Sequence, residues 1–161
     1  MNDVYWVLPE ILGGRKGPNR SPWDVLELYT SGVRMVVSLT ERMLNQSEEL
    51  VKTGIDHVCI ALPKNAPPKL GDKENIIRLL PCVYRIVEAQ IETGNGKIIV
   101  HCSSGKDRTG LFMGYFLMRF YQLSPDEAMA RLEDIVPDLL SASGWREMAS
   151  EVLDYFASRR P

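Results

Sequence analysis

Residues 97 to 110 read Lys-Ile-Ile-Val-His-Cys-Ser-Ser-Gly-Lys-Asp-Arg-Thr-Gly. The β-branched run Ile98–Val100 has the composition of a short buried strand. Cys102 and a glycine-bearing loop follow at once, then Arg108, and from Leu111 to Tyr121 an apolar helix is predicted. Strand, tight loop and helix in that order aim the first free N–H groups of a helix, and the positive end of its dipole, at one point. Main chain alone then makes an anion site. A cysteine placed there beside a guanidinium is expected to be a thiolate, the nucleophilic form. Arg108 has a planar fork of donors that can grip two oxygens of a phosphate. Gly105 lets the loop turn its N–H groups inward with no Cβ in the way, and Thr109 is placed to hydrogen-bond the sulfur. The stretch reads as a phosphate cradle with a thiolate at its floor.

The rest of the chain suits a small soluble host for such a cradle. With 161 residues it fits one domain, residues 1–161, large enough to bury about two-thirds of its unfolded surface without disulfides or metals. A hydrophobic content of 45% with 25% charged residues excludes a disordered chain. A net charge of −2 argues against a general nucleic-acid surface, so any anion binding has to be local. The opening Met-Asn-Asp-Val-Tyr-Trp lacks the basic and apolar regions of a leader, and no apolar run reaches membrane-spanning length. A cytoplasmic location without stable membrane insertion is expected. Cys59, Cys82 and Cys102, with only His57 and His101 besides, form neither a disulfide framework nor a metal-ligand pattern. No metal and no cofactor are expected.

Outward from the motif, Tyr5–Leu8 reads as a strand ended by Pro9, and residues 13–20 as a loop carrying Arg15, Lys16 and Arg20. That loop is either a solvated turn or the border of the anion site. Ser21 and Pro22 open a predicted helix closed by Gly32, with Trp23 and Leu26 on its apolar face. Val33–Leu39 is a buried strand, a short helix ends at Gly54, and Ile55–Leu62 is the next strand. Pro63–Gly71 is a stiff loop, and Asp72 starts a helix that Pro81 should kink or interrupt before Gly94. Ser124-Pro125-Asp126-Glu127 is a capping box opening a helix to Val136, and Gly144–Ser158 is a last helix with a Trp145, Met148, Val152, Tyr155, Phe156 stripe. Strands alternating with helices predict a single α/β domain, its largely parallel central sheet of 4–5 strands flanked by helices.

The pattern His-Cys-x-x-Gly-x-x-Arg-Thr-Gly resembles the cysteine-dependent protein tyrosine phosphatase superfamily. Trp-Val-Leu-Pro at 6–9 and Gly-Val-Arg-Met-Val-Val-Ser-Leu-Thr-Glu at 32–41, with the 101–110 motif, are similar to its small atypical dual-specificity phosphatases. The resemblance implies a mixed sheet flanked by helices, metal-free chemistry and a phosphocysteine intermediate. It implies Cys102 as nucleophile and Arg108 as phosphate ligand. Ser103, Ser104, Gly105, Lys106, Asp107 and Arg108 would supply backbone N–H groups to the phosphoryl oxygens. Thr109 would steady the sulfur as it leaves, and His101 would order the loop.

One departure stands out. The family places an aspartate, the general acid, shortly after the proline ending the preceding strand, whereas here Pro63 is followed by Lys64, Asn65 and Ala66. Asp107, inside the loop, is the first candidate for that acid and Asp72 the second; solvent is the third source of the proton. The expected activity is hydrolysis of phosphotyrosine, with phosphoserine and phosphothreonine as further substrates. Two alternatives stand beside it: a phosphatase for phosphoinositides or another non-protein phosphate, which Lys106 would suit, and a non-catalytic phospho-ligand binding module. The expected partner is a phosphorylated protein or small phosphorylated molecule, not nucleic acid, and the chain is expected to be a monomer.

Overall fold

A computed structural model describes Met1 and residues 3–160. In chain order the elements are β1 (Tyr5–Leu8), β2 (Leu12–Arg15), α1 (Val25–Thr30), β3 (Val33–Ser38), α2 (Leu44–Thr53) and β4 (Asp56–Cys59). They continue with α3 (Asp72–Thr93), β5 (Lys97–His101), α4 (Arg108–Phe120), α5 (Pro125–Glu133) and α6 (Trp145–Ala157). The strands form one five-stranded sheet in the order β1-β2-β5-β3-β4. Only the β1–β2 pair is antiparallel; β2–β5, β5–β3 and β3–β4 are parallel. The α/β fold expected from the alternation of elements is the one found.

The side chains of β5 alternate between two cores. Ile98 and Val100 face the larger one, filled by Leu80, Val83, Phe112, Phe116, Trp145 and Val152 from α3, α4 and α6. Ile99 faces a smaller one with Val25, Leu28, Val36 and Leu50, from α1, β3 and α2. A central parallel strand is covered on both sides, which is why its sequence runs apolar without a break. Parallel pairing also brings the C-terminal ends of β2, β3, β4 and β5 to one edge. Arg15 and Ser38 both lie opposite His101, and Ser38 lies opposite Cys59. The loops leaving that edge are the ones that can converge on a ligand.

Several expectations need correction. Leu12–Arg15 is not loop but strand β2, inserted between β1 and β5. Its glycines are required: a Cβ on Gly14 would occupy the Tyr5 ring, and one on Gly13 would collide with Val4. The first helix is capped by Asp24, whose side chain accepts from Glu27 N, because Ser21 is engaged with Asp3. Its buried face is Val25 and Leu28, while Leu26 is exposed. Pro81 does not interrupt α3, which runs on for 22 residues. Burial of Ile76, Leu80, Val83 and Val87 on one face offsets the lost N–H at that turn. Helix α4 begins at Arg108, three residues earlier than expected, and α5 stops at Glu133, three residues short of Val136. The α5 capping box is made on both sides. No helix among the described residues is long and apolar enough to cross a membrane.

Candidate active site

Cys102 is the first residue past β5 and is 1% exposed. The loop from Cys102 to Asp107 joins β5 to α4, and its outward-facing carbonyls are tied down. His101 Nδ1 donates to Cys102 O at 3.0 Å, and Gly17 N to Ser103 O at 2.9 Å. The Tyr5 hydroxyl donates to Gly105 O at 2.8 Å, and Leu140 N to Lys106 O at 3.1 Å. Four carbonyls of the loop are thus held by outside partners, and Lys106 N donates to Ser104 Oγ at 3.4 Å; the remaining peptide N–H groups of such a tight loop form the kind of nest that suits an anion. Gly105 sits at φ 78°, and a Cβ there would lie 2.8 Å from the Arg15 backbone. Glycine therefore serves two needs at once, a left-handed residue and room for β2 behind it.

The bracing groups are themselves fixed. Arg15 is buried; its guanidinium donates to Ser21 O and lies 5.3 Å from the Trp23 ring. Burial pushes the Tyr5 phenol well above its usual pKa, which keeps the hydroxyl as a neutral donor. His101 is buried edge-on to Trp23, with ring centroids 5.1 Å apart. Burial, above all, depresses its pKa to about 4, aided by the charges of Arg15 and Arg108 and opposed by the bond to Cys102 O. Its imidazole is neutral at pH 7.

Above the floor opens a cavity of about 740 Å³. Cys102, Ser103, His101 and Arg108 line its base, and Arg108 Nη1 donates to Leu39 O at 3.3 Å. Around it stand Asn19, Gln46, Lys64, Asn65, Asp72 and Arg78. Arg20 Nε reaches Ser103 Oγ at 3.0 Å, so the positive segment after β2 borders the site and is not merely a solvated turn.

The predicted residues divide in this setting. Cys102, Ser103 and Arg108 come together at the base, and Ser104, Gly105 and Lys106 complete the loop. The Lys106 ammonium lies 3.9 Å from the Asp138 carboxylate. Asp107 turns to the opposite side: its Oδ1 accepts from Ala142 N at 3.2 Å, and it is not among the cavity-lining residues. Asp72 does line the cavity, its Oδ2 accepting from Asn65 Nδ2 at 2.9 Å and Lys69 N at 2.8 Å. Those two bonds hold its carboxyl below the usual range. The Thr109 hydroxyl is buried with no hydrogen-bond partner among the described residues, so the expected bond to sulfur is not made. Tyr5, which braces Gly105 O, had no place in the sequence reading of the site, while Gly17 and Arg15 entered it only as part of the 13–20 segment weighed as a border of the anion site. The one signal for those two was the run of glycines and positive charge in that segment. No group of three or more His, Cys, Asp or Glu side chains among the described residues is placed to hold a metal ion.

Comparison with known proteins agrees with this geometry. The family model "Dual specificity phosphatase, catalytic domain" matches residues 26–152, starting after the β1–β2 hairpin. The dual specificity protein phosphatase CDC14B of Mus musculus is 25% identical over 142 residues, 81% of this chain and 27% of that protein. The tyrosine-protein phosphatase CDC14 of Candida albicans is 28% identical over 127 residues, 78% of this chain and 22% of its own length. The chain thus spans about a quarter of the length of these relatives. Among solved structures, Tk-PTP in its active form superposes with a TM-score of 0.76 at 21% identity over 99% of both chains. Human DUSP28 gives 0.70 at 16% identity, covering 97% of this chain and 96% of its own. These structures share the fold. With a match that takes in β3 through most of α6 and includes the Cys102–Arg108 loop, the chain belongs to the dual specificity phosphatase catalytic domain family.

Proposed function

We propose that this chain is a phosphomonoester hydrolase of phosphorylated proteins that works through a phosphocysteine on Cys102. The observation that carries the reading is the braced loop: four carbonyls held outward, a thiol at the base and Arg108 beside it in one cavity. The substrate phosphoryl group sits on the loop N–H groups, with two of its oxygens on the Arg108 fork. The Cys102 sulfur, reacting as its thiolate, attacks phosphorus in line, an S–P bond forms, and the P–O bond to the leaving group breaks. Charge spread over the equatorial oxygens in the transition state is met by dipoles already in position.

The leaving oxygen takes its proton from Asp72, the carboxyl that shares the cavity with Cys102. Water then attacks phosphorus, the S–P bond breaks, and the water proton returns to Asp72, giving inorganic phosphate. Asp107 has the structural task of holding residue 142 against the loop. Because Asp72 is held ionised, its acid form is scarce at neutral pH, and turnover of poor leaving groups should rise as pH falls.

Among the described residues no Phe, Tyr or Trp lines the cavity to flank an aryl ring; polar Asn19, Gln46, Asn65 and Lys64 do, beside Met43, Leu62 and Leu79. That favours phosphoserine and phosphothreonine beside phosphotyrosine. Lys64 and Arg78 on the same wall favour a small non-protein phosphate as the second reading. Phosphate release from a panel of phosphotyrosine, phosphoserine and phosphothreonine peptides and inositol phosphates, with and without EDTA, tests the proposal. Activity insensitive to EDTA and absent in Cys102→Ser is expected. Phosphopeptide binding with no release would leave a binding module instead.

A further inference from the structure

A run of three hydrogen bonds crosses the sheet from β4 to the loop. His57 Nε2 lies 2.8 Å from Ser38 Oγ, Ser38 Oγ lies 2.5 Å from His101 Nε2, and His101 Nδ1 lies 3.0 Å from the Cys102 carbonyl. The sheet register makes this possible. Ser38 is paired with His101 on one side and with Cys59 on the other, and His57, two residues before Cys59, shares its face.

The direction of every bond follows from the last one. A carbonyl only accepts, so the His101 proton is on Nδ1. A buried neutral imidazole has one N–H, so His101 Nε2 is bare and accepts the single Ser38 O–H. Ser38 Oγ is then left as an acceptor toward β4, and His57 must donate to it through Nε2–H. No member of the run is left unsatisfied. Burial, and then the facing Arg42 guanidinium, lower the pKa of His57, and the Cys59 sulfur lies 3.4 Å from the same Nε2. The sulfur is a weak acceptor beside the hydroxyl. A charged His57 would still donate from Nε2, so this polarity does not depend on its protonation.

We infer that His57 is a positioning residue: through Ser38 it supports the tautomer that the Cys102 carbonyl selects and fixes the ring plane of His101, and so holds the Cys102 carbonyl out of the cavity and the loop N–H groups in it. Its consequence for turnover rests on the hydrolase reading above, whereas the hydrogen-bond run can be observed without turnover. Partners one step removed from a working group commonly change rates by about tenfold or more when lost, because they set its orientation.

The test combines ¹⁵N NMR of the histidine rings with steady-state kinetics on p-nitrophenyl phosphate. In the unsubstituted chain His101 should be the Nδ1–H tautomer. His57→Leu and Ser38→Ala should shift the His101 ring ¹⁵N signals, as the bond at Nε2 weakens or is lost, and lower kcat about tenfold with KM unchanged. His57→Gln, whose amide N–H can reach Ser38 Oγ, should restore most of kcat. An Nε2–H tautomer in the unsubstituted chain, an unmoved His101 in His57→Leu, or a kcat loss that glutamine does not restore would each overturn the inference. A chain with no turnover on any phosphomonoester would remove the hydrolase reading, and the tautomer alone would then decide the relay.

Discussion

The floor of the cavity and its acid-bearing wall are built on different terms. In the floor the carbonyls of Ser103, Gly105 and Lys106 accept bonds from distant parts of the chain, residues 17, 5 and 140, and that of Cys102 from the ring of its neighbour His101. In the wall Asp72 is held by Asn65 and Lys69, both within seven residues of it, while Lys64 and Arg78 are exposed. On the proposed reading, phosphate binding then rests on bonds to main chain, three of the four from distant residues, and proton delivery on a few local side chains. Substitutions in the floor should depress every substrate alike, whereas substitutions in the wall should discriminate by leaving group.

The largest expected effect is at the floor. Cys102→Ser should lower turnover by at least ~10⁴-fold on every substrate, since it removes the nucleophile, and Arg108→Ala by roughly 10³-fold, since it removes transition-state contacts. Equal losses on good and poor leaving groups are expected for both. Next comes Asp72→Asn, which should slow alkyl phosphates by about 10²-fold and leave p-nitrophenyl phosphate nearly unchanged. Asp107→Asn should hurt both kinds of substrate to the same modest degree, through the bond to Ala142. A leaving-group-dependent loss in Asp107→Asn, and none in Asp72→Asn, would reverse the assignment.

Two smaller effects probe the bracing. The folded-state pKa of His101, about 4, lies below its unfolded value of about 6.5, so the unfolded chain binds the extra proton first. Stability should therefore fall as pH drops from about 6.5 toward 4, by roughly 3 kcal/mol from this group if it acted alone. Urea unfolding at pH 7 and pH 4.5 should show the loss, and His101→Gln should flatten it. Tyr5→Phe leaves the Gly105 carbonyl without its donor and should cost about 1 kcal/mol in urea unfolding, with a few-fold loss of kcat/KM on all substrates. A loss confined to poor leaving groups would tie Tyr5 to the wall instead of the floor.

How far each part was legible in the sequence follows from the same contrast. The strand, loop and helix of residues 97–120 were readable because their chemistry lies in contiguous residues with local signals. The α5 capping box and the αL glycine ending α2 were readable for the same reason. Leu12–Arg15 was not, because Leu-Gly-Gly-Arg has little strand propensity and becomes strand only where Tyr5 and Val4 fill the space above its glycines. The orientation of Asp107 was equally hidden, being decided by residue 142, thirty-five positions away. Asp72 was visible as a helix opener and as the second candidate for the acid, but the bonds from Asn65 and Lys69 that hold its carboxyl at the cavity wall were not. The His57–Ser38–His101 run needs the register of three strands, which no single segment contains.

The most direct test of the account is rapid-quench trapping with a ³²P-labelled phosphotyrosine peptide followed by peptide mapping. The account predicts a transient covalent label, up to one equivalent per chain, on the peptide containing Cys102 and absent in Cys102→Ser. Turnover with no label, or label on another residue, would contradict it.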